Sequence, residues 1–420
     1  MFLQIPRQTS YRLVSSPAAE ACFIILYNGL AGVGVPACGV QSLKDVRQDV
    51  AVDNRGIHRG TDVTRVATFE IHHTGFIDRD GRPTQALPPF AEDRDTVVAF
   101  YRAMVLTRTF DAKAVAMQRT GRLGTFASSL GQEAIAVGVG AAMTAEDVLL
   151  PYAREYGAQM LRGVTLTELF LFWGGDERGN DFATPRQDFP VTVPIATHVP
   201  HAAGVAMAFK LRGERRAAVC LFGDGATSKG EFYEGLNLAG VWGVPAVFIV
   251  CNNAWAISMP REGQTAAETL AQKAIAAGVS SEQVDGNDVV AVHAAMQGAL
   301  ARARAGEGPH LIEAITYRLA DHTTADNASR YRDDEVVGAH WQEDPIKRVK
   351  AYLVERLDWT KAEEEALIAS CTAEVEAAAE QHLAMPPAPV EAIFDFMYAE
   401  LPADLAVQRG ALLKERSGRG

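Results

Sequence analysis

Along residues 94–109 (RDTVVAFYRAMVLTRT) apolar side chains recur three and four positions apart, which predicts a helix with one buried face. The pattern resumes after a glycine-containing break at 131–143 (GQEAIAVGVGAAM), a second helix. The middle of the chain then alternates between two periods. Residues 203–211 predict a helix, 217–222 (AAVCLF) a strand, 230–242 a helix and 246–251 (AVFIVC) a strand that is apolar throughout. Gly243 and Pro245 end the helix before that second strand. A helix at 289–304 and a strand at 309–317 (PHLIEAITY) follow. Beyond Arg332 the chain reads as helical, including an acidic stretch at 360–383 with charges four apart. Strand and helix in alternation predict an α/β fold: a mostly parallel sheet with helices on both faces, plus helical N- and C-terminal flanks. There is no internal repeat.

The globular pattern starts near Val66 (VATFEIHHTGFIDRDG), so residues 66–420 are expected to be the folded domain and residues 1–65 an N-terminal extension. That extension reads as disordered, cleaved, or a start placed too early, with a signal the less favoured reading. Residues 21–40 carry no charge, but Asn28, Pro36 and four glycines dilute them. A membrane-spanning helix needs about 20 strongly apolar residues. Arg7 and Arg12, set among Ser and Thr, would also suit a secretory or organellar signal.

Composition narrows the picture. With 420 residues, 48% of them hydrophobic, and a mean hydropathy of −0.02, the chain can bury one large core or two modest ones. A net charge of −12 without a clustered basic run argues against nucleic acid as a partner. Cys22, Cys38, Cys220, Cys251 and Cys371 form no pair at zinc spacing, which fits a reducing compartment; Cys220 and Cys251 are expected in strand cores.

The sharpest chemical feature is GDG (223–225) at the end of one predicted strand and NN (252–253) at the end of the next. Consecutive parallel strands of a βαβ unit point their C-terminal ends to one sheet edge, where such folds bind ligands. Asp224 and Asn253 can therefore meet. A carboxylate and an amide oxygen are hard ligands suited to Mg²⁺, which is usually completed by phosphate oxygens and water. Gly223 and Gly225 let the backbone approach a diphosphate, and Ala226 begins a turn into a helix whose N-terminus favours anions. Taken singly, GDG is a common turn and NN weaker still.

Taken together, GDG followed by NN matches the thiamine diphosphate fingerprint. Residues 223–258 (GDGATSKGEFYEGLNLAGVWGVPAVFIVCNNAWAIS) resemble the α subunits of the E1 component of pyruvate, branched-chain 2-oxo-acid and acetoin dehydrogenase complexes. The resemblance runs from about Phe69 to the C-terminal helices. It implies thiamine diphosphate held through Mg²⁺, with Asp224, Asn253 and the backbone carbonyl of Trp255 on the metal. It implies Gly223, Gly225 and Ala226 at the diphosphate. Residues 194–206 (PIATHVPHAAGVA) resemble the segment that grips the aminopyrimidine, placing the backbones of Val193 and Ile195 at the cofactor and making Ile195 an apolar wedge. GQEA (131–134) looks like the helix start after the substrate-side loop, where Glu133 reads as a capping and packing residue.

Residues 317–332 (YRLADHTTADNASRYR) are similar to the family's active-site loop. There the resemblance implies that Arg318 contacts the diphosphate and that His322 faces thiazolium and substrate as the catalytic side chain. Arg330 and Arg332 are expected to pin the loop through carboxylates. Thr323 stands at a position phosphorylated in some eukaryotic relatives, and no regulation is assigned to it. One departure concerns residues 151–157 (PYAREYG): Arg154 fits a phosphate-binding arginine, but Ala153 stands where the pattern has tyrosine. Tyr152 and Tyr156 are the candidates to replace that hydroxyl.

The implied activity is oxidative decarboxylation of a 2-oxo acid with transfer of the acyl group to the lipoyl group of E2. Pyruvate is favoured, on 264–279 and GQEA, while PIATHVP is nearer the branched-chain (2-oxoisovalerate) pattern; acetoin dehydrogenase is a further alternative. About 350 residues after the extension leave room for one thiamine-binding domain. The implied partners are therefore an E1 β subunit, in an α₂β₂ heterotetramer whose β chain supplies the carboxylate for the aminopyrimidine, and the lipoyl domain of E2. No membrane partner is expected, and the expected location is the cytoplasm, with import through the extension as the alternative. Two other classes compete: a non-catalytic binding module on the same fold, and a metal-dependent phosphohydrolase, which predicts further carboxylates on neighbouring strand ends.

Overall fold

A computed structural model describes residues 65–417, so the expected N-terminal extension, apart from Arg65, lies outside the described residues. From Phe69 onward the chain forms one compact unit. Its sheet has six strands, β1 (His73–Thr74), β2 (Val148–Leu150), β3 (Ala218–Gly223), β4 (Ala246–Asn252), β5 (Ser280–Asp285) and β6 (His310–Ile315). They lie in the order β1-β5-β6-β4-β3-β2 with every pair parallel. Around it run the helices α1 (Arg94–Arg119), α2 (Glu133–Ala142), α3 (Tyr156–Arg162), α4 (Leu166–Trp173), α5 (His198–Arg212), α6 (Gly230–Trp242) and α7 (Val289–Ala305). After these come α8 (Asp334–His340), α9 (Pro345–Arg356), α10 (Lys361–Ala384) and α11 (Ala403–Ser417). Among the described residues no helix is long and apolar enough to cross a membrane.

The unbroken apolar runs of β3 and β4 are explained by where each side chain goes. Side chains alternate across a strand, and Cys220, Phe222, Phe248 and Val250 pack beneath α5 and α6. Their neighbours Val219, Leu221, Val247 and Ile249 pack against α2 and α7 on the other face. All seven residues of β4 are buried. Each fully buried Val, Ile or Phe side chain contributes about 1.5–3 kcal/mol. Cys220 and Cys251 sit in these strands as buried free thiols, as the pattern predicts.

Helix α6 ends at Gly243, whose φ of 53° is the left-handed cap that glycine favours. Helix α10 starts on a capping box in which Thr360 and Glu363 satisfy each other's backbone amides. Among the elements that differ from expectation are α5 and β5. Helix α5 begins at His198, upstream of 203–211, because Pro200 falls in its first turn, where the missing N–H costs nothing. The strand β5 (SSEQVD) carries almost no apolar signal. Its polar side chains are instead tied to neighbours: Gln283 donates to Glu313 at 2.9 Å, Ser281 to the carbonyl of Ala271 at 2.9 Å, and Glu282 meets His310 at 3.0 Å.

Candidate active site

In the β3–β4 pair Gly223 lies level with Cys251, so Asp224 and Asn253 leave the sheet within one residue of each other. Asp224 is buried, and its Oδ1 accepts from the backbone of Gly225 at 2.8 Å. Its Oδ2 is buried with no hydrogen-bond partner among the described residues. Burial pushes the carboxyl up to about 6, and the charges of Arg318, Arg154 and Arg261 offset this only in part. An orphaned carboxylate oxygen here is the feature a cation would satisfy. Gly225 cannot be replaced cheaply, since a Cβ there would stand 2.7 Å from the Cβ of Ala256.

Asn253 donates to Oε1 of Gln132 at 3.0 Å and accepts from the backbone of Trp255 at 3.3 Å. Three of the four described non-glycine residues with positive φ gather here: Ala196 (67°), Ala254 (69°) and Ile257 (53°). Such conformations cost about 1–3 kcal/mol each and persist where the surrounding packing imposes them. The walls enclose a cavity of about 280 Å³. Arg154, Ile195, Gly223, Asp224, Gly225, Ala226, Asn253, Trp255 and His322 all line it, so most of the expected site residues come together. Val193 does not; it is exposed and outside the wall.

Arg318 is fully buried behind the wall. It donates to the backbone carbonyls of Trp255 at 3.4 Å and Ile257 at 2.7 Å, and to the hydroxyl of Tyr331 at 2.9 Å. Both Arg154 and Arg318 direct an N–H at Nδ1 of His322, at 3.1 and 3.3 Å. A guanidinium only donates, so Nδ1 presents its lone pair and the neutral ring carries its proton on Nε2. Burial, then the charges of Arg154 and Arg318, hold His322 down at about 4.

Glu133 is fully buried and bonded to Arg108 at 2.8 Å and the backbone of Gly131 at 3.1 Å, outside the cavity wall, in the packing role its position predicts. Arg332 corrects an expectation. It pins the loop through the backbone carbonyls of Arg318, Leu319 and Ala320 rather than through carboxylates, because its guanidinium is folded under its own loop. Arg330 is exposed. Among the described residues no three His, Cys, Asp or Glu side chains cluster for a metal, so the extra carboxylates that a two-metal phosphohydrolase needs are missing there.

Residues 101–391 match the family model described as Dehydrogenase E1 component. The chain is 41% identical over 350 residues to the 3-methyl-2-oxobutanoate dehydrogenase subunit alpha of Mycobacterium tuberculosis, covering 83% of this chain and 95% of that one. It is 39% identical over 324 residues to the pyruvate dehydrogenase E1 component subunit alpha of Bacillus subtilis, covering 77% and 87%. The corresponding Staphylococcus aureus subunit is 40% identical over 316 residues, covering 75% and 85%. This chain belongs to the dehydrogenase E1 component family, as an α subunit.

For an E1 α subunit the family implies thiamine diphosphate as cofactor, and a β subunit and E2 as partners in a multienzyme complex. In this E1 α subunit the cavity also contains residues that the sequence did not single out as ligand contacts: Gln132, Glu155, His198 and Lys229. Gln132 and His198 lie within GQEA and PIATHVPHAAGVA, and a signal for them existed only in that adjacency. Glu155 had none. Its Oε2 accepts from the backbones of Tyr152 at 2.9 Å and Arg154 at 3.0 Å, and complete burial pushes its carboxyl up to about 7.

Proposed function

We propose that this E1 α subunit holds thiamine diphosphate through Mg²⁺ at the ends of β3 and β4. Paired with its β subunit in an α₂β₂ assembly, it decarboxylates a short aliphatic 2-oxo acid and passes the acyl unit to the lipoyl group of E2. The observation that carries this reading is the buried, unpartnered Oδ2 of Asp224 beside Asn253. Asp224, the amide oxygen of Asn253 and the carbonyl of Trp255 are hard oxygen donors, the set Mg²⁺ prefers when phosphates complete its shell. Thiamine diphosphate, when bound, supplies the electron sink for decarboxylation.

The chain's own residues supply placement and charge. His322 offers a proton from Nε2 to a carbonyl or carboxylate oxygen of the substrate, while Arg154 and Arg318 keep its ring neutral and oriented. Ile195 and Phe222 give the cavity apolar walls that exclude water. The acid is pyruvate or its branched-chain counterpart 3-methyl-2-oxobutanoate (2-oxoisovalerate): the relatives named above divide between these two, as do the motifs.

The test is to produce the chain with its β subunit, measure thiamine diphosphate binding in Mg²⁺ by calorimetry, and follow 2-oxo-acid-dependent reduction of an artificial electron acceptor. Asp224→Asn should weaken cofactor binding on the order of a hundredfold and abolish turnover, whereas wild-type affinity in that variant would overturn the metal assignment. Comparing pyruvate, 3-methyl-2-oxobutanoate and acetoin as substrates identifies the complex.

A further inference from the structure

Ala153 leaves this site without the tyrosine that the resemblance places beside the arginine, and the structure points to where a hydroxyl is found instead. Ala153 is buried and forms no part of the cavity wall. Tyr156 is excluded as its replacement. Its ring is buried among Phe110, Phe126 and Trp173, and its hydroxyl donates to the carbonyl of Ala127 at 2.7 Å. Tyr152, in contrast, lines the cavity two residues before Arg154, which lines it too.

Tyr152 is positioned through its backbone and beside its ring. Its backbone N–H donates to Glu155, which grips the backbone of Arg154 with the same oxygen. Its face lies nearly parallel to the ring of His198, at 6.2 Å between centroids and 10°. His198 is itself fixed by a 2.7 Å hydrogen bond between Nε2 and the carbonyl of Leu221. Among the described residues the Tyr152 hydroxyl has no hydrogen-bond partner, while its backbone is tied to Glu155 and its ring lies alongside His198. Burial, with the nearby Glu155 charge adding to it against the opposing Arg154, pushes the phenol up, so the group remains a donor at neutral pH. A fixed, protonated, unpartnered hydroxyl beside a buried arginine suits an anionic oxygen.

We propose that Tyr152 donates a hydrogen bond to a phosphate oxygen of the bound cofactor, supplying from two positions before Arg154 the hydroxyl that Ala153 lacks. This rests on the thiamine diphosphate reading above. Tyr152 is then a binding residue of this chain, and Tyr156 is a core residue with no part in binding.

The experiment is calorimetric titration of the α/β complex, in Mg²⁺, with thiamine diphosphate and separately with thiamine, which has no phosphate. Tyr152→Phe keeps the ring and its stacking while removing the hydroxyl. It should raise the Kd for thiamine diphosphate about five- to twentyfold and leave that for thiamine within about twofold. Tyr156→Phe should leave both unchanged. Equal thiamine diphosphate affinity in wild type and Tyr152→Phe overturns the assignment while the parent reading stands. So does an unchanged Kd accompanied by a raised KM for the 2-oxo acid, which would move the contact to the substrate carboxylate. Absence of thiamine diphosphate binding by the wild-type complex removes the parent reading, and this inference with it.

Discussion

Arg154 and His322 are joined twice: the guanidinium donates to Nδ1 of the imidazole at 3.1 Å and to the backbone carbonyl of the same residue at 2.6 Å. The first bond fixes the tautomer and the second fixes the loop that carries the ring. A histidine so held is a hydrogen-bond donor through Nε2 across the neutral range, and it takes up a second proton only in acid.

That depressed value has a consequence for stability. Between pH 6.5 and about 4 the unfolded chain protonates His322 while the folded chain resists, so stability falls as pH drops through that window. Because the ring is only partly buried, the effect is discounted for solvent to about 1–2 kcal/mol. Thermal unfolding of wild type and His322→Gln at pH 4.5, 5.5 and 7 should show the variant gaining on wild type toward acid. A pH-independent difference between the two would refute the tautomer argument.

Glu155 has the opposite sign. Its carboxyl is raised from 4.5 to about 7 by complete burial, so over that window the folded chain binds the proton more tightly than the unfolded one, and stability declines as pH rises. Glu155→Gln retains an acceptor for the backbones of Tyr152 and Arg154 but cannot ionise. Relative to wild type it should be more stable at pH 8 than at pH 5, by about 2–3 kcal/mol. The advantage should level off above pH 7. Equal pH profiles in chemical denaturation would show that Glu155 does not titrate within the fold.

The parts of this molecule legible in the sequence were those where one physical requirement acts alone. Strands buried on both faces must be apolar throughout, so β3 and β4 stood out, and the residues at their ends followed from topology. The strand β5 was hidden because its stability comes from pairs such as Gln283–Glu313, which are far apart along the chain. Helix α1 runs on to Arg119, past the expected Thr109, through Asp111. That residue reads as a surface position but is buried, accepting from Ser128 at 2.7 Å and from the backbone of Ser129 at 2.6 Å. Within the cavity, Asp224, Asn253 and His322 carried motif signals, whereas Glu155 acts by gripping two backbone amides, a role with no compositional mark.

Gly225 tests how tightly the strand ends are packed. The Cβ of an alanine would meet the Cβ of Ala256 at 2.7 Å, and neither atom can rotate away. The segment carrying Asn253 and Trp255 must therefore shift. Gly225→Ala should destabilise the fold by about 1–3 kcal/mol and weaken cofactor binding by about tenfold or more. Wild-type melting temperature together with wild-type affinity would show that the contact relaxes freely.

The loop that presents His322 is closed by a relay through Tyr331. Its hydroxyl donates to Oδ2 of Asp326 and accepts from Arg318 at 2.9 Å, while the same Asp326 oxygen accepts from the backbone of His322 at 2.9 Å. Trp255 packs its ring 5.5 Å from that of Tyr331, so a phenylalanine would keep the packing and lose only the relay. A hydrogen bond to a charged group contributes about 1.5–3 kcal/mol. Arg318 retains the carbonyl of Ile257 and Asp326 retains the His322 amide, which places the net loss near the lower figure. Tyr331→Phe should therefore speed amide hydrogen exchange across residues 321–331 by about tenfold while leaving β3 and β4 as protected as before. If exchange in the loop is unchanged, its other ties, from Arg154, Arg332 and the paired bonds between Thr324 and Phe126, hold it shut; if β3 and β4 lose protection as well, Tyr331 supports the whole sheet edge rather than the loop.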